Sequence, residues 1–499
     1  MWSWITNSWW HAGLAVLVAT VLLSLSLYLA SPRIRTEMRS YAVLKTVPRS
    51  YWGVQSVNFL DCFYGFAFST FSMLIMREEF GLKEDWSGYL LAGLGIAGFL
   101  TTFAAGPVVD RFGLRRSLLW SLVVVIVFRL GMAACVFVPG IPHRVWFFFG
   151  LSILAGLPAA VKSNAYHIGN KRFSSPEART HAFSLSYIVM NFAALFALPL
   201  VDAMEHGLKL PYSWVFVIGI AVAVLATVST ALFVRDEHAA DEPATATGKR
   251  QVRAAHASFL AVCREPTFRR MIVIVAATLG VSTIFKYWIV LSPLYWKRTM
   301  GATTAIGTLS AINPLLIIIL LFAITPFIRK VNTFRVVTWG TVVAAASMIP
   351  LFTPWQWWND DVFWAYLTMN VTAMVIFSFG EILFSPRLSQ YILDIAPKGQ
   401  EGIYSSFATV PHFLANTMVN ILCGLMLMRW SPETAVLPDG RSLPLQDALA
   451  TGQMTYGHTP EMMWLILAVF AFAGPLVLFP LRSWFMSVMK TEEKKAPAA

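Results

Sequence analysis

Glu381 stands in the stretch GEILFSPRLSQYILDIAP, Gly380 to Pro397, directly after the apolar run MNVTAMVIFSF. A carboxylate at the end of a run heading into a bilayer costs about 2.5–3.5 kcal/mol even on lenient insertion scales. Either a neighbour offsets that cost or the acid has a task. Asp61, Arg129, Lys162 and Lys286 fall inside apolar runs too, as do His167 and His412. Intramembrane ionisable groups face a bundle interior or a water-filled cavity and find partners there. The chemistry open to this set is ion pairing, binding of a charged solute and carriage of a proton. Glu381 either receives a cationic ligand or closes a structural ion pair with Lys162 or Lys286. Lys286 either binds an anion or pairs with Asp61 or Glu381. Arg129 reads as a packing or snorkelling residue. The two histidines can titrate near neutrality, but each reads first as a hydrogen-bonded packing residue.

The elements that must position these groups are membrane helices. Of 499 residues, 57% are hydrophobic and 13% charged, and the mean hydropathy is +0.63, which excludes an ordinary soluble protein. Apolar runs of about 20 residues, the length that crosses the hydrocarbon, recur along the chain. They predict an all-α polytopic membrane protein with spans near 11–30, 52–76, 86–109, 117–138, 145–168, 182–203, 212–234, 270–296, 304–328, 335–354, 362–386, 402–428 and 460–487. The charged stretch 235–269 divides the last twelve into two sixes. The expected organisation is an extra N-terminal helix with a basic cytoplasmic connection (1–50), a six-helix bundle (51–234), a cytoplasmic linker (235–269), a second six-helix bundle (270–487) and a cytoplasmic tail (488–499). Asp61, Lys286 and Glu381 fall near the middles of their spans.

The net charge of +12 does not point to nucleic acid, because most of the Lys and Arg collect on one side of the predicted membrane. That asymmetry places the N-terminus outside and the C-terminus in the cytoplasm. The leader MWSWITNSWWHAG carries no Lys or Arg, unlike the basic start of a signal peptide, so the first span is expected to be retained. Cys62, Cys135, Cys263 and Cys423 form no CxxC pair and read as packing thiols, with neither disulfide nor metal site expected.

Between the third and fourth spans lies GPVVDRFGLRRSL, Gly106 to Leu118. Its Gly106, Asp110, Gly113, Arg115 and Arg116 resemble the loop between the second and third helices of the major facilitator superfamily. The competing reading is a plain positive-inside anchor. With six-plus-six helices, the resemblance implies two pseudo-symmetric bundles rocking about a midplane site. GEILFSP is similar to the tenth helix of the proton-dependent oligopeptide transporter family. KSNAYHIGNKRF (162–173), SYIVMNFAAL (186–195) and INPLLIIIL (312–320) resemble that family's fourth, fifth and eighth helices, in the same order.

This resemblance implies that Glu381 receives a peptide's amino terminus with help from Asn191 and Asn313. One carboxylate and two amide oxygens can take the three donors of an ammonium. Tyr187 and Ser385 lie one helical turn from Asn191 and Glu381, on the same faces. The matching lysine, Lys162, is implied to hold the peptide carboxylate, unless it snorkels. Tyr64 and Tyr187 are the implied cavity aromatics, and Lys286 is a further candidate for the substrate. The pattern also fails in places. SVNFLDCFYG keeps Tyr64 and Gly65 but has Asp61 alone where the family has acids and an Arg, and STIFKYWIVLSPLYW carries Lys286 where an acid is expected. The linker lacks the two additional helices of many bacterial members. A remodelled site follows, with Asp61 and Glu381 as the candidate proton sites.

The expected function is secondary active transport: proton-coupled uptake of a peptide or peptide-like amine across the cytoplasmic (inner) membrane. The expected partners are that solute, protons and the lipid bilayer, without nucleic acid. No cofactor is expected, and the lack of a Walker motif speaks against ATP. The alternatives are an exporter of drugs or amphiphiles on the same fold and a non-transporting peptide-binding receptor. An acyltransferase built on His412 is a remoter one, since it lacks a recognisable second catalytic group.

Overall fold

The computed structural model describes residues 25–235, 266–328, 331–394, 401–482 and 484. Most of the first predicted span lies outside the described residues, as do Cys263, the central linker and the C-terminal tail. Within an apolar solvent a chain must satisfy its own peptide groups, and the α-helix does so within one segment. Eleven helices among the described residues are long and apolar enough to cross a membrane.

Residues 25–30 are helical, and a short helix, α1 (Pro32–Ser40), and a 3-10 turn, Tyr41–Thr46, follow. The first half then holds α2 (Arg49–Phe80), α3 (Glu84–Phe112), α4 (Leu114–Phe137), α5 (Arg144–Leu154), α6 (Gly156–Arg172), α7 (Pro176–Asp202) and α8 (Trp214–Phe233). The second half holds α9 (Pro266–Val290), α10 (Ser292–Met300), α11 (Ile306–Ser310), α12 (Ile312–Ile328), α13 (Thr333–Ala346), α14 (Ile349–Phe352), α15 (Val362–Asp394) and α16 (Glu401–Trp430). A small antiparallel hairpin, β1 (Thr434–Val436) on β2 (Ser442–Pro444), leads to α17 (Leu445–Ala450) and α18 (Pro460–Leu478). With its 29 residues, α3 is also long enough to cross, at about 1.5 Å per residue.

Four breaks inside these runs have one cause. A proline has no N–H to give the carbonyl four residues earlier, and its ring crowds that carbonyl. Pro158, Pro293, Pro314 and Pro350 face Leu154, Ile289, Ser310 and Ala346 in this way. The helices end at Leu154, Val290, Ser310 and Ala346. Pro199, Pro326, Pro386 and Pro475 are carried within helices.

In the first half α2 packs on α7 and α8, α4 on α8, and α3 on α6; in the second, α13 packs on α15, and α9 on α16 and α18. The halves meet along α3–α16, α7–α11/α12 and α2–α9/α10. The α3–α16 crossing is tight. A Cβ at Gly88 would lie 2.3 Å from the Asn420 carbonyl oxygen, and one at Gly424 would lie 2.3 Å from that of Glu84.

On the face away from the linker the halves are joined by polar contacts. Arg298 of α10 pairs with Glu84 at the start of α3 and gives a 2.5 Å hydrogen bond to the Ser431 carbonyl. Arg77 pairs with Glu84 at 3.1 Å and also with Glu433. Lys297 reaches Glu205 at 3.0 Å and Glu78 at 3.4 Å. Asp202 at the end of α7 accepts the backbone N–H groups of Gly307 (2.7 Å) and Thr308 (2.6 Å), at the start of α11.

On the linker face the join is apolar. Ile188 of α7, Ile317, Leu320 and Leu321 of α12, and Ile382 of α15 form one buried cluster, against which Tyr41 and Tyr187 pack. α1 and the turn after it lie across this join. Ser40 Oγ is 2.8 Å from His181 Nε2 on α7. The Tyr41 ring sets its edge against His181 (5.0 Å) and against Phe322 of α12 (5.5 Å). The Arg33 guanidinium sits 5.6 Å above the Phe327 ring.

Candidate functional site

A cavity of about 50 Å³ lies between the halves. Glu381 closes it from α15, Tyr187 and Asn191 from α7, and Asn313 from the α11–α12 break made by Pro314. Phe66, Phe285, Trp288, Met374 and Phe377 make most of the remaining wall apolar. Glu381 Oε2 accepts the Asn313 amide N–H at 3.0 Å, and Oε1 accepts the Tyr187 hydroxyl at 3.4 Å. Asn313 Nδ2 also reaches Ser378 Oγ at 3.0 Å, and Asn191 Nδ2 donates to the Tyr187 carbonyl at 2.9 Å. Both amide nitrogens are thus engaged, and among the described residues no donor reaches either amide oxygen. Nor does any cation pair with Glu381 among the described residues. Neither expected structural pair, with Lys162 or with Lys286, forms. The arrangement is an acid held by the Asn313 amide N–H and the Tyr187 hydroxyl, in a largely apolar cavity that Asn191 also lines. Ser385 lies one turn further along α15, partly buried.

Lys162 is elsewhere. Buried at 2% exposure, its ammonium pairs with Asp61 of α2, and the Arg129 guanidinium from α4 lies 3.6 Å from the same Asp61 oxygen. Arg129 also donates to the Gly219 carbonyl at 2.6 Å and stacks 3.6 Å above the Tyr64 ring. This corrects the expectation of an isolated Asp61. The stretch SVNFLDCFYG of α2 has no arginine, but α4 brings Arg129 to Asp61. It also takes Arg129 from the packing class into a charge cluster, and Tyr64 into that cluster rather than the wall of the Glu381 cavity. The signal was present: Arg129 interrupts SLVVVIVFRLGMAAC, and a charge so placed needs a partner. Its partner could not be read because it comes from another helix.

Lys286 of α9 makes no ion pair among the described residues. Its ammonium lies 6.0 Å from the centroid of the Phe285 ring. His167 is exposed on α6, and the side chain of His412 lies outside those described. In the loop motif, Gly113 ends α3 with φ 79°, in the left-handed region that side chains other than glycine's resist. Arg115 donates to the Ala231 carbonyl at 3.0 Å, tying α4 to the end of α8, and Arg116 is exposed. Gly106 and Asp110 lie on α3, with their side chains outside those described.

The sequence profile of the Major Facilitator Superfamily matches residues 56–419. A curated relative, the "Uncharacterized MFS-type transporter YqjV" of Bacillus subtilis (strain 168), is 23% identical over 329 residues, 65% of this chain and 73% of its own. The fold is similar to that of a POT family transporter solved in complex with 5-aminolevulinic acid. The TM-score is 0.67 at 13% identity, covering 88% of this chain and 97% of the other. It is also similar to a D-xylose-proton symporter, with a TM-score of 0.64 at 14% identity over 85% and 96% of the two chains. Likeness at this level reports the fold and leaves the solute to the residues of the cavity.

Proposed function

We propose, from the premise that the chain belongs to the Major Facilitator Superfamily and is a transporter of its type, that it carries a small amine-bearing solute of peptide-like character. The observation that supports this most is Glu381: an acid within a membrane helix, lining the cavity between the two halves, held among the described residues by neutral donors only, with the Asn191 and Asn313 side chains on the same cavity wall. An ammonium offers three donors to three acceptors and replaces the missing counter-charge. Residues from both halves surround the solute, so rocking of the halves exposes it to either side in turn. Glu381 is the proposed proton site of the cavity, since a proton neutralises it when no amine does, and uptake driven by a proton gradient is the proposed direction. Asp61 already has two cations and is the weaker candidate for that role.

The test is Glu381→Gln. The neutral amide keeps the shape and loses a charge-assisted contact, about twice as strong as a neutral one. Thermal stabilisation by amine ligands, which bind only the folded protein, should vanish while insertion and folding persist. Undiminished stabilisation and uptake in Glu381→Gln would remove the amine from this acid. The largely aromatic wall favours one second reading, an exporter of amphiphilic amines, and the direction of flux in oriented proteoliposomes separates the two.

A further inference from the structure

In the first half the buried charges answer one another: Asp61 holds Lys162 and Arg129, and Arg129 is further satisfied by a carbonyl and a ring. The second half is different. Among the described residues, Glu381 has neutral partners only, and Lys286 makes no ion pair, its ammonium lying 6.0 Å from the Phe285 ring centroid. A lysine ammonium deep in the membrane costs about 2.5–3.5 kcal/mol on the lenient scale. The Lys286 side chain is half-buried, and the residue before it, Phe285, lines an internal cavity.

The cavity is the one already described. Phe285, Trp288 and Ile289 of α9 line it. At about 100° per residue, Lys286 leaves the helix about 60° beyond Ile289, at the margin of the same wall. Its long stem can bring the ammonium to the cavity's edge. Lys162, the residue that the family resemblance implies for a carboxylate, is sealed against Asp61.

We propose that Lys286 is the anion subsite of this cavity: it pairs with a carboxylate carried by the solute whose amine sits at Glu381. The inference rests on the amine reading of Glu381 and narrows it to a zwitterion with an apolar body between its charges. The two halves of the zwitterion cancel the two unmatched protein charges, so loading leaves no group unpaired in a medium where an unpaired charge is expensive. Recognition of the anion thereby moves to the seventh helix of the two bundles, α9.

The experiment measures thermal stabilisation and competitive uptake for a panel of amino acids, dipeptides and 5-aminolevulinic acid, each beside its methyl ester. The ester keeps the amine and loses the anion. Wild type should prefer the acids by about tenfold or more, the range of a hydrogen bond to a charged group. Lys286→Gln should erase the preference by weakening the acids alone, and Lys286→Arg should keep it. Without ligand, Lys286→Gln should melt no lower than wild type, because it removes a charge that has no protein partner. Equal weakening of acids and esters, a preference that survives Lys286→Gln, or a lowered melting temperature would each overturn the anion subsite. So would a wild type indifferent to the whole panel of acids. If esters or simple amines still bind and Glu381→Gln abolishes that binding, the amine reading stands and only Lys286 is reassigned. If Glu381→Gln changes nothing, both fall.

Discussion

Lys162→Met leaves the half-buried Asp61 with Arg129, 3.6 Å away, as its one cation among the described residues. Removing one partner of a buried pair costs about 3–5 kcal/mol, because the other charge stays behind. The variant should therefore melt well below wild type in detergent, and Asp61→Asn in the same chain should recover part of the loss. A double variant no more stable than the single one would show that the pair is not structural. At this scale the sequence was legible where a motif names its own partners. Tyr187, Asn191, Asn313 and Glu381 meet at one cavity, as their family matches imply. It was illegible where the partner depends on how helices turn against one another. Neither Lys162 nor Arg129 could be assigned to Asp61, because side chains from α2, α4 and α6 converge only in the packed bundle.

Among the elements, the helix breaks could be read and the crossings could not. The prolines that end α5, α9, α11 and α13 stand in the sequence, and the break before Pro314 sets Asn313 beside Glu381. Whether Pro199 or Pro386 would break its helix as well depends on neighbours that a single chain does not show. The α3–α16 crossing leaves no room at Gly88, so Gly88→Val should separate these helices. The expected result is a lower melting temperature and a longer distance between spin labels on the two helices. Alanine at the exposed Gly440, in the hairpin, makes a poor control because φ is 86° there, whereas Gly65, with nothing near its missing Cβ, makes a good one for volume alone. α1 and the turn after it touch both halves through Arg33, Ser40 and Tyr41. Tyr41→Ala removes the ring held between His181 and Phe322, so a reporter cysteine at Leu320 should be labelled faster in that background. An unchanged rate would mean that the segment covers the join without holding it.

In the molecule as a whole, the two faces are closed by different chemistry. Asp202→Asn should open the face away from the linker. An amide offers one acceptor where the carboxylate offered two, and its NH2 group opposes the N–H groups of Gly307 or Thr308. Distances between labels on α7 and α11 should broaden toward longer values in the variant, while those on the linker face stay put or shorten. Such asymmetry also makes the two openings answer to different surroundings. Ion pairs such as Lys297 with Glu78 are weakened by dissolved salt, most where they are reached by water. Uncovering Ile188, Ile317, Leu320, Leu321 and Ile382 instead raises the heat capacity, and its cost declines on cooling. Concentrated electrolyte should then favour one opening and chilling the other, so the resting population of the carrier records ionic strength at one end and temperature at the other.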